Sequence, residues 1–439
     1  MSKPTITHQQ IWRIAGPMIL ANISTPLLGM VDTAVVGHLS AVHYLGAVAI
    51  GSMIFTFVFW GFGFLRMATT GLNAQAYGRN DDKQMQAVLF QAVWLAVFIA
   101  FGLLLIQAPI RDIALWLVNS SDEVKHYAAL YFDIRIWSAP ATLINYAILG
   151  WLIGREASKA ALLMVLVINV ANIVGDLLLV NVLGMHVDGV ALASVVAEYL
   201  GLITGIVLLT RYGVNQQAWQ FARRWQNMRH GFSGLEVHGN FMLRTLVLIL
   251  CFAFFTTQGA RQGDTVLAAN SVLLNFITLM AFVLDAFANA TEVLAGKAIG
   301  RKNQDELKRA LLMTGFWSLL MAILFVVIYA NFGQQIILLL TDLDTVITVA
   351  NQYLWWVVIT PIFAVWSYLF DGLFVGATRS KEMRDCMLVS ALVIYLPTWY
   401  LLQGFENHGL WAALIALFIA RGLTQSFYIP KILRLASTD

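Results

Sequence analysis

Residues 87–106 read AVLFQAVWLAVFIAFGLLLI, with one amide, Gln91, and no charge. A helix rises about 1.5 Å per residue and the hydrocarbon core of a bilayer is about 30 Å thick, so a run like this is a membrane-crossing helix. Comparable runs recur along the chain. Of its 439 residues 59% are apolar and 12% charged, where soluble domains carry roughly a quarter charged residues. Twelve such spans begin near residues 11, 46, 86, 127, 160, 189, 238, 265, 308, 347, 384 and 408. They are too long and too uniformly apolar for barrel strands, and lipid offers no partner to an open backbone, so all of them are expected to be helices. Span 1 carries Arg13 and Pro17 and continues through Asp32 without a small-residue cleavage site, which reads as a retained helix and not a signal peptide.

Charge sets the orientation. With Lys3 and Arg13 inside, the alternate loops gather Arg79 and Lys83, Arg155 and Lys159, Arg211 to Arg244, Arg301 to Arg309, Arg379 to Arg384, and Lys431 and Arg434. The opposite loops hold Arg111, Lys125, Arg135 and Arg261. This asymmetry predicts both termini in the cytoplasm and an even number of spans. The net charge of +3 is therefore a topology signal and gives no reason to expect nucleic-acid binding. Cys251 and Cys386 both fall in or beside apolar segments and read as packing residues; the eight histidines show no metal-ligand spacing, and no phosphate-binding glycine loop occurs.

An internal repeat organises the chain. ATTGLNAQAYGR from Ala68 aligns with ATEVLAGKAIGR from Ala290 at an offset of 222 residues, and at that offset Gly150, Gly154, Ser158 and Lys159 fall on Gly372, Gly376, Ser380 and Lys381. The reading is two pseudo-symmetric six-helix bundles, residues 1–210 and 238–439, that enter the membrane with the same orientation. Between them, 211–237 is a cytoplasmic linker whose mixed arginines and aromatics suit an interfacial helix. Gly150 and Gly154 read as close-packing positions.

Ionisable groups inside spans cost about 2.5–3.5 kcal/mol each on insertion scales, so each one needs a compensating reason. Asp32 lies in span 1, downstream of Pro17 and Pro26, which remove backbone donors and give the helix places to bend. In span 5, Asn169, Asn172 and Asp176 share one face, and Ser194 in span 6 is a further oxygen donor. Asp371 in span 10 is read either as lining a cavity or as a helix contact.

These stretches resemble the MATE (multidrug and toxic compound extrusion) family, specifically its DinF branch. The carrying pieces are GMVDTAVVGHL around Asp32, FGFLRMATTGLNAQAYGR from Phe62, NVANIVGD ending at Asp176, GVALAS ending at Ser194 and FDGLFVGATRSK from Phe370. The resemblance covers the whole chain. It implies a twelve-helix inner-membrane antiporter, not an enzyme, exporting lipophilic and cationic organic compounds against inward proton or sodium flow, with no cofactor beyond the coupling ion. It also implies that Asp32, Asn172, Asp176 and Ser194 form a cation or proton site, with sodium a candidate at Asp32, Asn172 and Asp176. Ser194 stands where the family often has Thr, and Leu177 where Pro often follows the span 5 acid. Protonation of Asp32 from outside, a changed bend of span 1 and shrinkage of the first-half cavity give the expected cycle. The expected partners are the bilayer and small molecules, and the expected state is a monomer. A lipid-precursor flippase of the same superfamily would favour a cationic cavity, and an integral-membrane transferase would need a catalytic cluster in a large loop. The acidic first-half groups and the short loops argue against both.

Overall fold

All twelve predicted spans fall on helix in the computed structural model, which describes residues 6–37, 42–118, 120–214 and 231–437, with the side chains of 27–30, 32–37, 42 and 231–234 outside the described set. Ten helical runs among the described residues are long and apolar enough to cross a membrane. The last of them, Ser380–Arg434, holds spans 11 and 12, and span 1 is the separate helix His8–Gly37. The proposed interfacial segment falls mostly at 215–230, outside the described residues; span 7 is helical from Gly231 to Arg261.

Side-chain placement follows from lipid as solvent. Phe98 and Leu339 are 75% and 85% exposed, whereas Thr69, Thr70 and Asn73 are fully buried. Large apolar side chains point outward at no cost in hydrocarbon, and polar ones turn inward to find partners. Asn73 donates to the Trp151 carbonyl at 2.6 Å, and the Trp151 ring nitrogen donates to the Met85 carbonyl at 2.9 Å. Helix starts are capped where sequence supplies an acceptor: Asp81 takes the Gln84 amide and Asn303 the Glu306 amide, each at 3.0 Å.

The repeat is visible in the backbone. Asn80 and Lys302, Glu156 and Thr378, and Gly184 and Glu406 all have positive φ, and each pair is separated by the offset of the sequence repeat. The tight turns that end spans 2 and 8, 4 and 10, and begin 6 and 12 are thus built alike. Packing repeats as well: a methyl group on Gly150 would strike the Arg66 carbonyl, and one on its counterpart Gly372 would strike the Ala288 carbonyl, Arg66 and Ala288 being counterparts themselves. Only glycine lets these backbones approach so closely.

The chain divides into two compact units: Leu20–Asn73 with Asp81–Gly234, and Met1–Ile19 with Ala74–Asn80 and Leu235–Asp439. The second unit therefore includes a short piece of the first repeat. Within it the two motif copies meet reciprocally, because a methyl on Gly78 would strike the Lys297 carbonyl and one on Gly300 would strike the Gln75 carbonyl. Gly300 and Lys297 are the repeat counterparts of Gly78 and Gln75, so these are one contact made twice, as at a two-fold axis. Ala74 and its own counterpart Gly296 face each other on that axis, 2.7 Å from Cβ to where a Cβ would lie.

Candidate functional site

Three polar residues lie on one face of the helix Ser158–Asp176 and all turn inward: Asn169, Asn172 and Asp176 are 7%, 2% and 0% exposed. The partner helix is Val187–Arg211. Glycine sets the distance between them, since a Cβ on Gly175 would lie 2.9 Å from that of Ala193, and Gly201 and Gly205 admit Ile168 and Met164. That approach brings Ser194, 3% exposed, beside Asn172, whose amide donates to its hydroxyl at 3.2 Å. Directly after Asp176 the helix widens into a π-helical stretch, Leu177–Val182. Such wide turns cluster at functional sites. Leu177, where the family often carries proline, keeps its N–H and donates it to the Ile173 and Val174 carbonyls.

Span 1 joins this cluster through Ser24, whose hydroxyl accepts from the Asn169 amide at 2.7 Å and donates to the Ala21 carbonyl at 2.8 Å. The Thr25 hydroxyl also bonds that carbonyl, at 3.5 Å. Side-chain donors thereby support the backbone one turn ahead of Pro26, and the helix His8–Gly37 runs unbroken through Pro17 and Pro26. The side chain of Asp32 lies outside the described residues, although its backbone is helical.

Asp371 belongs to a different construction. It is buried with Arg244 and Arg421, at 8%, 8% and 3% exposure. Its Oδ2 accepts from Arg244 and, at 2.5 Å, from Arg421; its Oδ1 accepts from Gln425 at 2.6 Å. One carboxylate therefore ties spans 7, 10 and 12 together. Arg244, which the charge pattern groups with the cytoplasmic loops, is an interior residue of the helix Gly231–Arg261. With two guanidiniums on it, Asp371 is a helix clamp in the second half.

A second polar group lies in the first half around Glu198, an acid that the sequence places inside span 6 without indicating its partner. Asn145 on the helix Ala139–Gly154 donates to the Glu198 carboxylate at 2.8 Å and to its backbone carbonyl at 3.0 Å. The guanidinium of Arg135 lies within electrostatic reach of this carboxylate and over the rings of Phe55 and Tyr131, at 5.5 and 5.9 Å. The partners are far apart in sequence, and the signal that could have found them is a lone amide and a lone acid in otherwise aliphatic spans.

A repeat-built bundle of membrane helices, with polar clusters held between apolar faces, has the architecture of a secondary transporter. The MatE family profile matches residues 17–178 and again 241–401, one copy for each repeat. The chain belongs to this family, the multidrug and toxic compound extrusion transporters, and falls in its DinF branch. It is 41% identical to the DNA damage-inducible protein F of Escherichia coli over 96% of this chain and 91% of that protein. It is 25% identical to the multidrug resistance protein NorM of Aliivibrio fischeri over 94% and 91% of the two chains. Among solved structures, the Vibrio cholerae MATE transporter VcmN in the bent form superposes with a TM-score of 0.87 at 19% identity, covering 98% of this chain and 97% of that one. The protein is thus an integral membrane protein of a transporter family whose relatives include multidrug resistance proteins.

Proposed function

We propose that this protein is a secondary active antiporter that exports lipophilic, cationic organic compounds across the bacterial inner membrane in exchange for protons, with both termini cytoplasmic. The observation that carries the reading is the buried cluster of Asp176, Asn172 and Ser194 on glycine-packed spans 5 and 6. A carboxylate there exchanges a proton or a cation at a site where each charge state has a different cost, so ion binding can select between conformations. Asp32, on the span whose Ser24 bonds Asn169, is the second acid of the proposed site. Asn172 and Ser194 supply neutral oxygens suited to a hydrated proton or to sodium, and no group other than the coupling ion is needed. Each inward proton gains about 2.3 kcal/mol per 100 mV of membrane potential, which supports a modest substrate gradient per cycle.

The test is transport in proteoliposomes with proton and sodium gradients imposed separately, across a panel of lipophilic cations. Export driven by the proton gradient in the wild type and lost in Asp32→Asn is the expected result. Full export and full proton coupling in Asp32→Asn would remove the proposal.

A further inference from the structure

The Glu198 group is not used by the site just described, and it lies one helical turn away from it. Ser194 and Glu198 are spaced i, i+4 on the helix Val187–Arg211, which places them on one face about 6 Å apart along the axis. Glu198 is on the side of Ser194 that leads to Arg211, the end that the charge pattern assigns to the cytoplasm. Asp176, Asn172, Ser194 and Glu198 therefore form a descending series of polar side chains through apolar helices.

Around Glu198 two buried polar atoms have no hydrogen-bond partner among the described residues, Oδ1 of Asn145 and Nε of Arg135, while the Thr142 hydroxyl bonds the Glu198 carboxylate itself. Asn145 and Thr142 are 2% and 3% exposed. A buried polar atom left unpaired costs on the order of 1–3 kcal/mol, so a pair of them beside a carboxylate calls for a proton or water to satisfy it. Arg135 comes from the helix Asp122–Arg135 and Tyr146 from Ala139–Gly154, both within electrostatic reach of this group, and Arg66 from Phe64–Gly78 lies within reach of Tyr146. The helix Ser158–Asp176 contributes Asp176 higher in the same series, and Val42–Gly61 brings Tyr44 against His186 at the opposite end of span 6. The two charge states of Glu198 thus have different partners. Ionised, the carboxylate is bonded by the Asn145 amide and the Thr142 hydroxyl with Arg135 within electrostatic reach; protonated, its O–H can serve the unpaired Oδ1 of Asn145.

We propose that Glu198 is a proton-relay carboxylate of this transporter, taking the proton released from the Asp176 cluster and passing it toward the cytoplasmic end of span 6. The proposal rests on the antiport reading above. One proton moves in each step and no bond other than O–H forms or breaks.

The test uses the full chain in proteoliposomes, with a lipophilic cation such as tetraphenylphosphonium as probe, and measures two activities. In Glu198→Gln, uphill efflux driven by a proton gradient is expected to be lost, while substrate-for-substrate exchange without a gradient persists. Glu198→Asp is expected to restore uphill efflux with a displaced pH profile. Loss of both activities in Glu198→Gln and in Glu198→Asp would make the residue structural and overturn the relay, as would uphill efflux at the wild-type rate and pH profile in Glu198→Gln. If the wild type itself shows exchange but no proton-driven efflux, the antiport reading fails first, and the relay falls with it for that separate reason.

Discussion

The two repeats share turns and glycine contacts but not interior chemistry. At the repeat offset Asp32, Asn172 and Asp176 fall on Phe254, Ile394 and Thr398, while Asp371 and Arg244 fall on Leu149 and Asn22. In the first repeat the interior holds acids, amides and a hydroxyl. In the second, Phe254 stands edge-on to Tyr395 and Trp399, with centroids 5.8 and 4.9 Å apart, and the acid of span 10 is locked between two arginines. Duplication has kept what lets helices pack and has let the polar residues diverge. The comparison places the polar cluster of the proposed ion site in the first half and a buried helix clamp at Asp371 in the second.

The largest effect expected from this division is functional. Asp176→Asn should abolish ion-driven export in proteoliposomes, whereas Thr398→Val at the counterpart position should leave it close to wild type. Equal losses at both positions would break the asymmetry. Next comes the clamp. Asp371→Leu leaves two buried guanidiniums without their carboxylate, and removal of one partner from a buried ion pair costs about 3–5 kcal/mol. A lower thermal unfolding midpoint in detergent should report it, with partial recovery when Arg421→Leu is added.

The reciprocal motif contact gives a smaller and symmetric effect. Gly78→Ala and Gly300→Ala each push a methyl group into a helix carbonyl, and overpacking of this kind costs about 1–3 kcal/mol. The two variants should destabilise by similar amounts in the same unfolding assay; a large inequality would show that the pseudo-symmetry stops short of energetics. The smallest change is at Ser194→Ala, which removes the acceptor of the Asn172 amide and should cost about 1 kcal/mol while shifting the ion dependence of export.

Much of this architecture is legible in the sequence because lipid leaves few alternatives. A run such as 87–106 has to be helical, and a stripe such as Asn169, Asn172 and Asp176 has to turn away from hydrocarbon. The local part of the site, meaning one face of one helix, follows from periodicity. What periodicity omits is pairing across distant sequence. Asp371 and Arg244 are 127 residues apart and Asn145 and Glu198 are 53 apart, so neither pair leaves a local trace. Arg244 was also hidden by its neighbours: the basic segment before it reads as loop, but the helix starts at Gly231 and carries the arginine several turns inward. The widened turn after Asp176 is illegible for another reason. Leu177 to Val182 are ordinary aliphatic residues save Asn181, and nothing in them distinguishes a π turn from an α turn.

The central claim is that protons are exchanged for substrate at the acids of the first half. Substrate-triggered proton release, read with a pH-sensitive dye from purified protein in weakly buffered detergent, addresses it without any gradient or vesicle. Release by the wild type, none by Asp176→Asn and undiminished release by the Asp371→Leu, Arg421→Leu double variant is the pattern the account predicts. Release that survives in Asp176→Asn and vanishes in the double variant would place the exchange in the second half and contradict it.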